Sequence, residues 1–150
     1  MQKCCLARGS SIQKMRERAN MLNVGSSFSK SVVAEDQTIR DIARLSGDIN
    51  PIHLDDEYAK QTVFGRRIAH ALFCQNIISM IIGNHLPGSG AILLSQNFRY
   101  RKPVYIDDTI ETTVTVKDIL DGDKYVLTTV CTNQKNEIVL DGESVIKWTV

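Results

Sequence analysis

The chain has almost no excess of charge of either sign. Its 150 residues hold 18 Lys and Arg against 17 Asp and Glu, a formal +1, so no global field draws it to nucleic acid or to an anionic membrane. Cysteines and histidines in metal-ligand spacing are missing as well. The adjacent Cys4 and Cys5 and the isolated Cys74 and Cys131 give neither a zinc pattern nor a disulfide framework. Reduced thiols in an intracellular compartment are the expectation. No glycine-rich phosphate loop occurs, so no nucleotide, metal or redox cofactor is implied. The longest apolar stretch, residues 68–82, contains His70, Gln75, Asn76 and Ser79 and is shorter than the roughly 20 residues that a bilayer core requires. No membrane span is expected. Internal repeats and low-complexity segments are also lacking. With 43% hydrophobic residues, a chain of this length is expected to form one domain around one core.

Residues 1–21 carry Lys3, Arg8, Lys14, Arg16, Arg18, Ser10 and Ser11, with no acid before Glu17. The composition fits a mitochondrial presequence and fits equally well a solvated arm ahead of a domain spanning residues 22–150. It lacks the apolar core of a secretory signal.

Apolar side chains in residues 68–82 occupy nearly every azimuth of a 3.6-residue helix, which predicts a central helix enclosed on all sides. Gly83 and then Pro87, Gly88 and Gly90 are expected to stop it. Beyond it the period changes to two. Ile92, Leu94, Phe98 and Tyr100, then Ile110, Val114 and Val116, read as half-buried strands. Residues 125–132 and 145–150 read as two more, with turns at Asp121-Gly122-Asp123 and residues 133–136. Four successive strands with short turns predict an antiparallel meander. Upstream, residues 28–33 read as a strand and residues 35–45 as an amphipathic helix that buries Ile39, Ile42 and Ala43. The expected class is α+β, an antiparallel sheet wrapped around a long helix. Its open edge is expected to be covered by a second copy, as a homodimer.

The chemistry is expected in Ser46-Gly47-Asp48-Ile49-Asn50-Pro51-Ile52-His53. Gly47 suits a helix C-terminus, Pro51 argues against helix from Asn50 onward, and Asp55, Asp56 and Glu57 suit the first turn of another short helix. An irregular loop then carries a carboxylate and an imidazole, the side chains that most often move protons near neutral pH. The same residue types also make ordinary turns.

This string, with the small Ala59 after it, resembles the signature of the MaoC-like, (R)-specific enoyl-thioester hydratases and dehydratases. The similarity covers residues 22–150 and includes Arg67-Ile68-Ala69-His70-Ala71, Leu86-Pro87-Gly88 and Lys102-Pro103-Val104. More narrowly, the chain is similar to the mitochondrial 3-hydroxyacyl-thioester dehydratases of type 2 fatty acid synthesis. The resemblance implies a single hot-dog fold. It implies reversible dehydration of (3R)-hydroxyacyl thioesters to trans-2-enoyl thioesters, with no cofactor and a location in the mitochondrial matrix. The substrate is an acyl carrier protein or coenzyme A thioester.

By the same resemblance Asp48 and His53 are the catalytic acid and base, and the Ala71 N–H, where relatives usually carry glycine, binds the thioester oxygen. Asn50 fixes the loop and Ser79 bonds the aspartate, unless its hydroxyl bonds the carbonyl one turn back. Arg99, Arg101 and Lys102 meet a carrier's phosphates or acidic surface, or are a solvated strand face. His70 reads as a packing or loop-anchoring residue, or else as a second catalyst. Ile78 and Ile82 line an acyl tunnel or belong to the core. Asp107-Asp108 replaces the Gly-Asp of many relatives, which bears on the shape of that turn. Two other readings stay open. A hot-dog thioesterase usually carries an acid on the central helix, where residues 68–82 have none. A non-catalytic subunit that only binds acyl thioesters needs neither Asp48 nor His53.

Overall fold

The computed structural model describes residues 22–120 and 123–149. Segment 1–21, with Cys4 and Cys5, and the Asp121-Gly122 portion of the expected turn lie outside them. In chain order the elements are β1 (Ser27–Val33), α1 (Asp36–Ser46), α2 (Pro51–Leu54), α3 (Asp56–Lys60), α4 (Leu72–Asn84), β2 (Ala91–Tyr100), β3 (Thr109–Ile119), β4 (Lys124–Thr132) and β5 (Ile138–Trp148). The strands form one antiparallel sheet in the order β1-β3-β4-β5-β2. Helix α4 packs against β3, β1 and β2. The expected α+β arrangement is therefore the observed one.

One face of α4 makes the core. Phe73, Cys74, Ile77, Ile78, Ile81 and Ile82 are buried against Ile110, Val114, Val116, Leu127, Leu140 and Ile146 of the sheet. Burying an Ile or Phe side chain is worth about 1.5–3 kcal/mol each, so this face alone holds the helix in place. Ile78 and Ile82 are core residues. The helix is not enclosed on all sides by its own chain, however. Leu72, Asn76, Ser79 and Gly83 form an exposed stripe, because a single sheet covers only one side.

Other expectations also change. The central helix begins four residues later than residue 68. Ile68 bridges to Tyr105, and the Ala69 N–H donates to the Val104 carbonyl at 2.7 Å, so residues 68 and 69 pair across the chain instead of coiling. Gly83 stays inside the helix, and the end falls at His85, ahead of Pro87. Only β3-β4-β5 is a meander. Strand β2 pairs with β5, so the chain crosses from one side of the sheet to the other between β2 and β3. That crossing includes Asp107, which takes a left-handed φ of 69°. Aspartate tolerates that region better than most residues, and Asp108 closes the turn by accepting the Tyr105 N–H at 2.8 Å.

Strand β5 starts at Ile138, before the expected residue 145. The strand includes Asp141-Gly142-Glu143-Ser144, and Gly142 lies against β2. A Cβ there would sit 2.1 Å from the Asn97 carbonyl oxygen and 2.8 Å from the Phe98 Cα. Strand β2 does not alternate buried and exposed side chains as expected. It is an edge strand with a register shift between Leu93 and Ser95, and Ile92, Leu93 and Leu94 are each nearly half exposed.

Candidate active site

Helix α1 ends as its sequence dictates, with Gly47 at φ 76° returning its N–H to the Ala43 carbonyl. The next residues lock themselves through alternate side chains. Ser46 Oγ donates to the Ile42 carbonyl and accepts the Asp48 N–H at 3.2 Å. Asp48 Oδ1 accepts the Asn50 N–H at 3.2 Å, and Asn50 Oδ1 accepts the Ile52 N–H at 3.2 Å. These are successive side-chain turns of the kind Ser, Asp and Asn favour. Pro51 does not exclude helix: it opens the single turn α2 at the first position, where its missing N–H costs nothing. Asp55 caps α3 by accepting the Glu57 and Tyr58 N–H groups.

Within this frame one Asp48 oxygen is occupied and the other is not. Oδ2 lies 3.8 Å from His53 Nε2, and the carboxylate is half exposed while His53 is nearly buried. His53 Nδ1 lies 2.8 Å from the Ile68 carbonyl, an acceptor only. Nδ1 therefore carries the proton, and in the neutral ring Nε2 presents its lone pair beside the carboxylate. The 3.8 Å gap is too long for a hydrogen bond, which leaves both groups able to address a third molecule.

Arg67 secures the loop from behind. Its largely buried guanidinium binds Asp36 at the start of α1 and Asp56 at the start of α3, and it lies 3.5 Å from the His53 carbonyl oxygen. The Arg40 hydrogen bond, followed by that of Arg67, holds the Asp36 carboxyl below the usual carboxylate range. Sequence reasoning gave Arg67 no role, and its pairing with the adjacent Arg66 in the sequence does not single it out. His70 anchors the loop, with Nε2 2.9 Å from the Asp48 carbonyl oxygen and its ring stacked on His53 at 3.9 Å.

Asp48, His53 and Ala71 line one pocket of about 460 Å³, together with Phe64, Cys74, Tyr100 and Val139. Ala71 stands at the N-terminus of α4, and among the described residues its N–H donates to no acceptor. A helix N-terminus with a free N–H stabilises developing negative charge. Cys74 is a free thiol pushed well above its ordinary range by its hydrogen bond with Cys131 and by burial.

Other expected residues lie elsewhere. Ser79 is on the exposed stripe of α4, and its side chain makes no hydrogen bond to Asp48. Arg101 and Lys102 line the pocket but are paired with Asp141 and Glu137. Arg99 does not line it and faces a separate shallow groove beside Thr128 and Glu143. The fold gathers Asp48, His53 and His70, each offering one ligand-type atom within 4.8 Å of the others. A divalent ion there would occupy the carboxylate and imidazole atoms that proton transfer needs.

A helix cradled by an antiparallel sheet, with a carboxylate, an imidazole and the helix-terminal Ala71 lining one pocket, is an arrangement that fits a hot-dog hydro-lyase. Residues 17–137 match the family model described as a MaoC like domain. The (R)-specific enoyl-CoA hydratase of Rhodospirillum rubrum is 38% identical over 123 residues, covering 81% of this chain and 85% of that one. A mitochondrial 3-hydroxyacyl-[acyl-carrier-protein] dehydratase of Arabidopsis thaliana is 34% identical over 128 residues, 83% of this chain and 76% of that one. The solved R-hydratase PhaJ1 of Pseudomonas aeruginosa superposes with a TM-score of 0.83 at 34% identity, covering 87% and 84% of the two chains. The chain belongs to the MaoC-like dehydratase family. Among the described residues, no helix is long and apolar enough to cross a membrane.

Proposed function

We propose that this protein reversibly dehydrates (3R)-hydroxyacyl thioesters to trans-2-enoyl thioesters in fatty acid synthesis. The observation that carries this reading is that Asp48, His53 and Ala71, whose N–H has no acceptor among the described residues, line the same pocket. Dehydration needs a base for the C2 proton, an acid for the departing C3 hydroxyl and a donor for the enolate-like thioester oxygen. One of His53 Nε2 and Asp48 Oδ2, spaced too widely to satisfy each other, takes the C2 proton, and that same proton is delivered by the pair to the departing C3 hydroxyl, so that water leaves and both groups regain their starting state; the Ala71 N–H serves the third need. Asn50 holds the pair in register through its turn with Ile52. Both proton-transfer groups then address the same face of the substrate, so water leaves in a syn sense.

The carrier is coenzyme A or acyl carrier protein, with Arg101 and Lys102 at the pocket wall meeting its phosphates. The working unit is a homodimer formed across the open edge of β2 and the exposed stripe of α4, which places Ser79 at the subunit boundary. The similarity to the Arabidopsis mitochondrial dehydratase supports a mitochondrial location. The test is to incubate the purified protein with one 3-hydroxyacyl chain on each carrier and follow enoyl and free thiol separately. Enoyl formation supports the proposal. Thiol release without enoyl would make the protein a thioesterase.

A further inference from the structure

We infer that His70 is a positioning residue that holds Asp48 and His53 in a common geometry through one imidazole ring. The inference rests on the acid–base reading above. His70 is only 3% exposed. Its Nε2 lies 2.9 Å from the Asp48 backbone carbonyl, an acceptor only, so Nε2 carries the proton. Its ring stacks on His53 with centroids 3.9 Å apart and planes 29° from parallel. Nδ1, enclosed without a partner among the described residues, is then an unprotonated acceptor, because a buried N–H there would be left unmet.

This pattern separates positioning from catalysis. Nε2 is committed to the loop and Nδ1 is sealed off, so His70 has no atom with which to exchange a proton with substrate. Leaving Nδ1 buried and unpaired destabilises the fold, and an aromatic hydrocarbon would pack on His53 without that cost. What the imidazole adds is the N–H that holds the Asp48 carbonyl. The side-chain turns at Ser46, Asp48 and Asn50 fix the loop within itself, whereas His70 fixes it to the start of α4. The residue after His70 is Ala71, so one short segment sets the distance between the proton-transfer pair and the N–H that receives the thioester oxygen. Reacting groups displaced by about 1 Å lose rate by about 10²-fold.

The experiment compares His70→Ala, His70→Gln and His70→Phe in the full chain, with Asp48→Asn and His53→Ala as references. Glutamine carries an N–H donor to about the reach of Nε2, whereas phenylalanine keeps the stacking ring and has no donor. For folded enzyme, kcat of His70→Ala and His70→Phe should fall about 10- to 100-fold while KM moves less than about threefold, as expected for misplaced reacting groups. His70→Gln should recover most of the loss, and both limbs of the pH–kcat profile should persist in all three variants. Hydrogen exchange across residues 46–53 should quicken in His70→Phe, a readout available even where activity is too low to measure. Parent-like kcat in folded His70→Phe, equal losses in the Gln and Phe variants, or a vanished pH limb would each overturn the inference. Full turnover in Asp48→Asn and His53→Ala would overturn the acid–base reading itself, and the inference with it.

Discussion

Replacing Asp48 by Asn keeps the side-chain turn that accepts the Asn50 N–H and removes only the charge 3.8 Å from His53 Nε2. The size of the loss reports what that charge does. If Asp48 acted only through its field on a transient imidazolium, unit charges at this separation interact by about 1 kcal/mol in water and about 4 kcal/mol at an effective dielectric of 20. The side chain is 51% exposed, which places the value near the lower end, or about tenfold in rate. If Asp48 itself transfers a proton, the loss is about 10²- to 10⁴-fold. The geometry favours the second, because a pair spaced beyond hydrogen-bond distance is poorly arranged for mutual support and well arranged for two substrate atoms. Asp48→Asn should therefore lose at least about 100-fold in kcat, and His53→Ala a comparable amount, while the double variant is scarcely worse than the weaker single one. Initial rates of enoyl formation, normalised to folded protein by circular dichroism, measure all three. A loss of tenfold or less in Asp48→Asn, or multiplicative losses in the double variant, would refute the reasoning.

Three further outcomes are expected. Gly142→Ala should destabilise the fold by about 3 kcal/mol or more in chemical denaturation, since its Cβ meets backbone atoms that cannot yield. Asp36 has its pKa lowered first by the Arg40 hydrogen bond and then by Arg67. The unfolded chain therefore takes up this proton first on acidification. The contribution is present above the ordinary carboxylate range and is lost as pH falls through the lowered folded value, so the Tm difference between parent and Asp36→Asn should shrink toward acid pH. Leu94→Asp on the open β2 strand should convert a dimeric mass in light scattering to a monomeric one, whereas a monomeric parent would refute the proposed assembly.

Much of this was legible in the sequence because it was local. The Ser46–His53 string encodes its own turns, Gly47 specifies a helix end and the acids at 55–57 a helix start, whereas the single turn that Pro51 opens behind Asn50 reads as loop. The buried face of α4 follows from its isoleucines. What was not legible depended on partners distant in the chain. Residues 138–144 carry no strand assignment until β2 is laid against Gly142. Residues 68 and 69 read as helix until Tyr105 and Val104 pair with them, and β2 reads as an alternating, half-buried strand until its place at the sheet edge is known. Arg67 acquires its role only when α1, α3 and the Asp48 loop converge on it, which no periodicity records, and the loop-anchoring expected of His70 finds its partner only when the Asp48 carbonyl is brought to it.

The most direct test of the central claim is the stereochemistry of dehydration. Matched (3R)- and (3S)-hydroxyacyl thioesters of equal chain length are offered separately and enoyl formation is recorded. A pocket that merely bound the acyl chain would accept both epimers within a modest factor, whereas a hydroxyl on the wrong face loses the acid that must protonate it. Rapid enoyl formation from the (3R) epimer and almost none from the (3S) epimer is the predicted result. Equal rates from the two, or no enoyl from either, would contradict the assignment of Asp48, His53 and Ala71 to one catalytic face.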